Sequence, residues 1–331
     1  MRFIPFVALL TLTQATAVQQ MDGAFTLRAA REGDRVNVNF QYADGRSNWG
    51  RTFERSEFSN VARNGDKVTF ALRREAGTFT FEGRGDMDRA SGWYAFAPNA
   101  DFERGMEKLG FREIEPKDMF VFAIEGLTLD GVRGLQKLVS DPLDTTGLVR
   151  LINHGAGLKY IQAMTAAGFK NLTSDEYRRA RDHGVSAEFA REMSDLGMKL
   201  SLDELVRMRD HGVTTEYVRA MRSAGFQLSH EELVRTRDHG VTTEYVKRMK
   251  DLGYGDLPIG DYVRMRDHGV TPEFAESMRA EGFTKLTANE LVRLRDHGVT
   301  ASYVRRVKEM LKEPPSVEQI IRMRSSGFPT R

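Results

Sequence analysis

The amino-acid sequence predicts an α+β protein in separate domains: a small antiparallel β domain, folded as a sandwich or open barrel, followed by an α-solenoid of 28- to 29-residue helical hairpins. Two observations carry this expectation. The string Arg-Asp-His-Gly-Val begins at Arg181, Arg209, Arg237, Arg266 and Arg295, and self-similarity at such a period marks supersecondary units that stack on their neighbours. Between Ala24 and Pro98, by contrast, apolar residues alternate with polar ones, which is the period of half-buried strands.

The chain opens with Met1-Arg2, an apolar run from Phe3 to Thr13, and Ala15-Thr16-Ala17. This order of charge, apolar core and small residues is that of a secretory signal, so residues 1–17 are expected to be removed and the mature chain to start at Val18. The run is about eleven residues long, whereas a bilayer-spanning helix needs about 20. A periplasmic or secreted protein without a transmembrane segment in its mature form is the expectation. The sequence has no cysteine, which excludes disulfides, thiol lipid anchors and thiol chemistry. Lys and Arg number 49 against 47 Asp and Glu, so nothing favours a phosphate-tracking surface, and nucleic acid is not an expected partner.

Residues 18–104 form the expected β domain. Phe25 and Leu27, Val36 to Tyr42, Val68 to Leu72, Phe79 and Phe81, and Tyr94 and Phe96 supply the alternating apolar positions. Turn signals at Gly33-Asp34, Asp44-Gly45, Asn64-Gly65-Asp66 and Ala76-Gly77 divide them into five or six strands. Trp49, in Ser47-Asn48-Trp49-Gly50-Arg51, is a candidate for stacking on a ligand, although a tryptophan near a strand start also serves as a core or edge filler.

Residues 105–331 are expected to be helical, with about seven repeats and atypical capping units at both ends. In the repeat from Leu200 to Phe226, Ser201 and Glu204 make a capping box that opens a first helix, and Gly212 ends it with Val213 folding back on Met208. Thr214 caps a second helix whose apolar stripe is Tyr217, Val218 and Met221, and Gly225 stops it. Helices of about ten residues are marginal alone, so stacking must stabilise them. Thr173 with Glu176, Ser229 with Glu232, and Thr287 with Glu290 repeat the capping box. The glycine phase continues outward to Gly126 and Gly327, where Ala123-Ile124-Glu125 and Arg324-Ser325-Ser326 replace Arg-Asp-His.

The repeated polar residues are the candidate partner-binding set: Arg181, Asp182 and His183; Arg209, Asp210 and His211; Arg237, Asp238 and His239; Arg266, Asp267 and His268; Arg295, Asp296 and His297; and, apart from them, Trp49. Equivalent atoms of stacked hairpins lie about 10 Å apart, so one ion cannot bridge two histidines of the row. A histidine there also complements the helix dipole and the last carbonyls. The aspartates oppose that dipole and need compensation, expected from arginines such as Arg207 and Arg209 or from helix-start amides nearby. Met193, Met208, Met221, Met249, Met265 and Met278 fall on apolar stripes as core filler.

No catalytic, cofactor-binding or metal-ligating residue is assigned. His230-Glu231-Glu232-Leu233-Val234 lacks the second histidine of a zinc-peptidase helix, and the nucleophile-elbow, phosphate-loop and dinucleotide glycine motifs are missing. The repeats His-Gly-Val-Thr-Pro-Glu-Phe at His268 and Leu-Val-Arg-Leu-Arg-Asp-His-Gly at Leu291 resemble a bacterial helical repeat of exported proteins, similar to the repeat tails of membrane zinc peptidases of the beta-lactam-sensor class. The resemblance covers roughly residues 105–331 and brings no peptidase motif with it; it implies a sensing or interaction module. The expected function is therefore an exported, non-enzymatic protein-protein interaction or scaffold module without a cofactor. A small-ligand or metal-binding periplasmic protein, and a regulatory partner of an envelope protease, are the alternatives.

Overall fold

The computed structural model describes residues 21–31, 33–42, 48–311 and 313–328. The expected signal segment and the turn at Asp44-Gly45 lie outside the described residues. Among the described residues a seven-stranded antiparallel sheet comes first and sixteen α-helices follow, so the chain is of mixed α+β class with its β part preceding the helices. It divides into two compact parts, residues 1–182 and 183–331.

In the N-terminal part the strands are β1 (Met21–Ala29), β2 (Arg35–Tyr42), β3 (Asn48–Glu54), β4 (Phe58–Asn64), β5 (Lys67–Arg74), β6 (Gly77–Gly85) and β7 (Arg89–Pro98). They form one sheet in the order β3-β2-β1-β7-β6-β5-β4. Seven strands occur where five or six were expected, because Asn48–Glu54 and Phe58–Asn64 carry few apolar residues and escape a reading by alternation. The two edge strands, β3 and β4, are joined by the single 3-10 turn Arg55–Glu57. A link that short sets the end of β3 beside the start of β4, and Phe53 and Phe58 pack there with ring centroids 5.7 Å apart. The inward residues bury an aromatic core that includes Phe25, Phe40, Phe70, Phe79, Phe81, Tyr94 and Phe96.

Helix α1 (Ala100–Lys108) leads to α2 (Pro116–Ile124), which is buried on every side from Asp118 to Ile124. A helix apolar all round belongs in a core. Phe120 enters the aromatic cluster of the sheet, with centroids 4.8 Å from Tyr42, 5.1 Å from Phe79, 5.5 Å from Phe96 and 5.8 Å from Phe40. Strands give way to helices at Pro98, but the hydrophobic core of the sheet runs on into α2. The part is completed by α3 (Leu129–Leu138), α4 (Thr145–Asn153), α5 (Leu158–Ala166) and α6 (Ser174–Asp182), in which α1 packs on α3, α3 on α5, α2 on α4 and α4 on α6.

The C-terminal part contains α7 (Ala187–Asp195), α8 (Leu202–Asp210), α9 (Thr215–Ser223), α10 (His230–Asp238), α11 (Thr243–Met249), α12 (Ile259–Asp267), α13 (Pro272–Ala280), α14 (Ala288–Asp296), α15 (Ala301–Met310) and α16 (Val317–Ser325). Each helix packs on the one two places along, even on even and odd on odd. The local signals act as the sequence predicts. Ser201 and Glu204 form the capping box, Gly212 adopts φ +68°, and its Schellman turn closes with Val213 N–H donating to Met208 O at 2.8 Å and Gly212 N–H to Arg209 O at 3.0 Å. Thr214 accepts from the Tyr217 amide at 3.2 Å. In the repeat that begins at Arg237 the period lengthens from 28 to 29 residues, and a π turn at Lys250–Tyr254 extends the end of α11 there.

Candidate functional site: the Arg-Asp-His ladder

The first helix of five repeats ends in Arg-Asp-His-Gly, with histidine as the C-cap of α8, α10, α12 and α14 and glycine in the left-handed conformation that permits the turn. This geometry fixes where the three polar side chains leave the helix. Each then contacts an adjacent repeat.

Histidine reaches forward. In the N-terminal part His154 Nδ1 lies 2.6 Å from Asp182 Oδ1. In the C-terminal part His183 pairs with Asp210 at 2.6 Å, His211 with Asp238 at 2.6 Å, His239 with Asp267 at 2.5 Å and His268 with Asp296 at 2.7 Å. An ionised carboxylate only accepts, so Nδ1 carries the proton and donates it, leaving Nε2 on the other side of the ring. At the C-terminal end the row stops at His297, where Ser325 stands in the aspartate position and its hydroxyl lies 3.0 Å from Nδ1. The aspartates are thus compensated by the histidine of the preceding repeat, and Asp182 in addition by Arg178 of its own helix at 2.7 Å. For Asp210 that corrects the expected pairing with Arg207, Arg209 or helix-start amides, since neighbouring helix ends are offset so that one repeat's last aspartate meets the previous C-cap; an arginine partner occurs at Asp182.

Arginine reaches back to an aromatic ring. Arg181 lies over Tyr160 with its guanidinium carbon 5.4 Å from the centroid. The equivalent distances are 5.1 Å for Arg209 over Phe189, 5.0 Å for Arg237 over Tyr217, 5.0 Å for Arg266 over Tyr245, 5.2 Å for Arg295 over Phe274 and 5.0 Å for Arg324 over Tyr303. The same guanidinium covers the helix-ending glycine of the preceding repeat: a Cβ on Gly212 would lie 3.4 Å from Arg237 Nη2. Nε of Arg209 and of Arg266 is buried without a hydrogen-bond partner, so ring and backbone contact hold these arginines. Two rings also bind forward: Tyr217 Oη donates to Val241 O at 2.7 Å and Tyr245 Oη to Val270 O at 3.1 Å. Sequence reasoning missed the Arg-aromatic pairs, although an aromatic residue recurs eight positions after each arginine.

Burial sets the electrostatics of the rings. It pushes the Tyr245 phenol well up and those of Tyr160 and Tyr262 to about 12. Glu273, on the exposed face of α13, is held down to about 2 by its own backbone amide, then by Arg248 and Thr271. The ladder pairs are half-exposed: the side chains of His211 and Asp238 are 37% and 42% accessible, so each pair is worth at most about 1 kcal/mol. Among the described residues no group of three or more His, Asp or Glu side chains could hold a metal ion.

Trp49 lies apart from the ladder, half-buried on β3, where its indole N–H donates to the Glu125 carboxylate. Glu125 also pairs with Arg51 at 2.8 Å. Burial raises the Glu125 carboxyl above its ordinary value against the opposing pull of Arg51 and Trp49. The more exposed tryptophan is Trp93 on β7, 70% accessible, which alternation alone placed in no role. Among the described residues no helix is long and apolar enough to cross a membrane. Comparison with known protein families, with characterised proteins and with solved structures finds no match to this chain.

Proposed function

We propose that the chain is an exported, non-enzymatic interaction scaffold, in which a partly open β-barrel is joined to an α-solenoid that offers an extended surface to a protein partner. The observation that carries this reading is the division of labour along each repeat. Arg, Asp, His and the aromatic ring are occupied in repeat-to-repeat contacts, while the outer positions differ from copy to copy, as with Arg219 paired to Glu192 and Arg248 paired to Glu273. A fixed repeat-to-repeat ladder combined with varied outer charges suits recognition by a stack of modules. Localisation in the periplasm or outside the cell follows from the leader-like N-terminus, and the resemblance to exported repeats agrees with it.

Affinity capture from an envelope extract with the mature chain tests the scaffold reading. A partner retained by the native protein and lost on charge reversal at Glu244 and Lys247, at unchanged thermal midpoint, is the expected result; capture unaffected by any substitution on the outer helix positions would sink it. Intact-mass measurement after expression in a secreting host tests export: the expected mass begins at Val18, and a chain retaining Arg2 refutes it.

A further inference from the structure

The first repeat lacks both halves of the Arg-aromatic pair. Where later repeats carry a tyrosine or phenylalanine, α3 has Gly131, and where they carry the arginine that covers it, α4 has Ile152. The two losses fall at one place. A cleft of about 440 Å³ opens there, walled by Leu135, Ile152 and Leu158. This is within the range of roughly 300 to 1,000 Å³ typical of small-molecule sites.

The rim is charged, and unevenly so. Arg51, Glu125, Lys159 and Arg181 all border the cleft. Glu125 is neutralised by Arg51 at 2.8 Å. Arg181 lies over Tyr160, and neither it nor Lys159 forms an ion pair among the described residues. Two cations without a carboxylate partner therefore border the cleft beside an apolar wall, Lys159 exposed and Arg181 held over Tyr160. Gly157 caps α5 without a side chain, and the first turn of that helix borders the same space, so its amides add to the positive potential.

We propose that the cleft between α3 and α5 binds a small carboxylate carrying one aromatic or branched aliphatic group, with the apolar group in the place of the missing ring and the carboxylate at Lys159 and Arg181. The missing Arg-aromatic pair defines the shape of the ligand, and the two cations without a carboxylate partner define its charge. Glu125, half-buried and fixed by Arg51 and Trp49, disfavours a second negative group at the other end of the cleft. The inference stands independently of the scaffold reading, since it concerns one cleft rather than the outer helix surface.

The test is calorimetric titration of the full mature chain with N-acetylphenylalanine and N-acetylleucine, alongside N-acetylphenylalaninamide as the uncharged control. The carboxylates are expected to bind saturably at one site and the amide at least tenfold more weakly. The exposed change Lys159→Glu should weaken carboxylate binding at least tenfold without moving the thermal midpoint. The double variant Gly131→Tyr with Ile152→Arg restores the pair found in the later repeats, and should abolish binding while leaving the protein folded. Equal binding of acid and amide, no saturable binding to the native chain, or undiminished binding in Lys159→Glu would each overturn the proposal. Should the double variant fail to fold, the Lys159→Glu result decides alone.

Discussion

Phe120→Ala tests whether the strand region and the first helices share one core. The ring meets Tyr42, Phe79, Tyr94, Phe96 and Phe40 at centroid distances from 4.8 to 5.8 Å, and Phe120 is fully buried. Removing a buried phenylalanine costs about 3–5 kcal/mol, the cavity included. For a cooperative unit of this size each kcal/mol lowers the midpoint by roughly 2–4 °C, so a fall of about 10 °C is expected. Fluorescence isolates the effect, because the chain has two tryptophans, Trp49 on β3 and Trp93 on β7, and both report on the sheet. A shared core predicts that the tryptophan-detected midpoint falls with the loss of a helix residue, and that a fragment of residues 18–104 shows no cooperative transition. A tryptophan midpoint that stays in place while far-ultraviolet ellipticity melts earlier would refute the reasoning and restore a boundary at Pro98.

Two further outcomes follow from the ladder and its rings. Arg209→Ala should destabilise the protein by about 1–2 kcal/mol, since it removes a desolvated cation-ring contact and the packing of the guanidinium on Gly184, whereas Asp210→Ala should cost no more than about 1 kcal/mol because its pair with His183 is half-exposed; thermal denaturation of both variants checks the order, and the reverse order refutes it. Burial raises the Tyr160 and Tyr262 phenols from the ordinary 10.0 to about 12, so their contribution is complete below pH 10 and is lost as pH rises through about 12. The thermal midpoint should therefore decline above pH 10; a midpoint flat from pH 10 to 12 would show that the rings ionise as freely as in the unfolded chain.

Much of the local structure was legible because its signals are local. Ser201 and Glu204 name a helix start, Gly212 and Val213 name its end, and Gly225 names the next, each within a few residues of the bond it makes. The period also shows which residues are equivalent. It does not show the offset between neighbouring repeats, and that offset decides whether Asp238 meets an arginine or the previous histidine. Helix α2 was opaque for a different reason: Met119-Phe120-Val121-Phe122-Ala123-Ile124 is apolar throughout, so no periodicity reveals that one face enters the strand core. Strands β3 and β4 were missed or blurred because edge strands bury little.

The regularity of the chain and the proposed binding cleft are located in different residues. Arg209, Asp210 and His211 look like a site because they recur, yet each recurs with a partner in an adjacent repeat: Phe189 for Arg209, His183 for Asp210 and Asp238 for His211. A contact that must be made between every pair of repeats forces the same residue types into every copy, whatever the stack holds. Recognition of one particular molecule has the opposite requirement, an arrangement that occurs once. The first repeat satisfies it. Glu125 replaces the histidine, Gly131 the ring and Ile152 the arginine, and the strand region supplies Trp49 and Arg51 to meet the unmatched carboxylate. The departures from the repeat, more than the repeat itself, are therefore where substitutions should separate binding from stability.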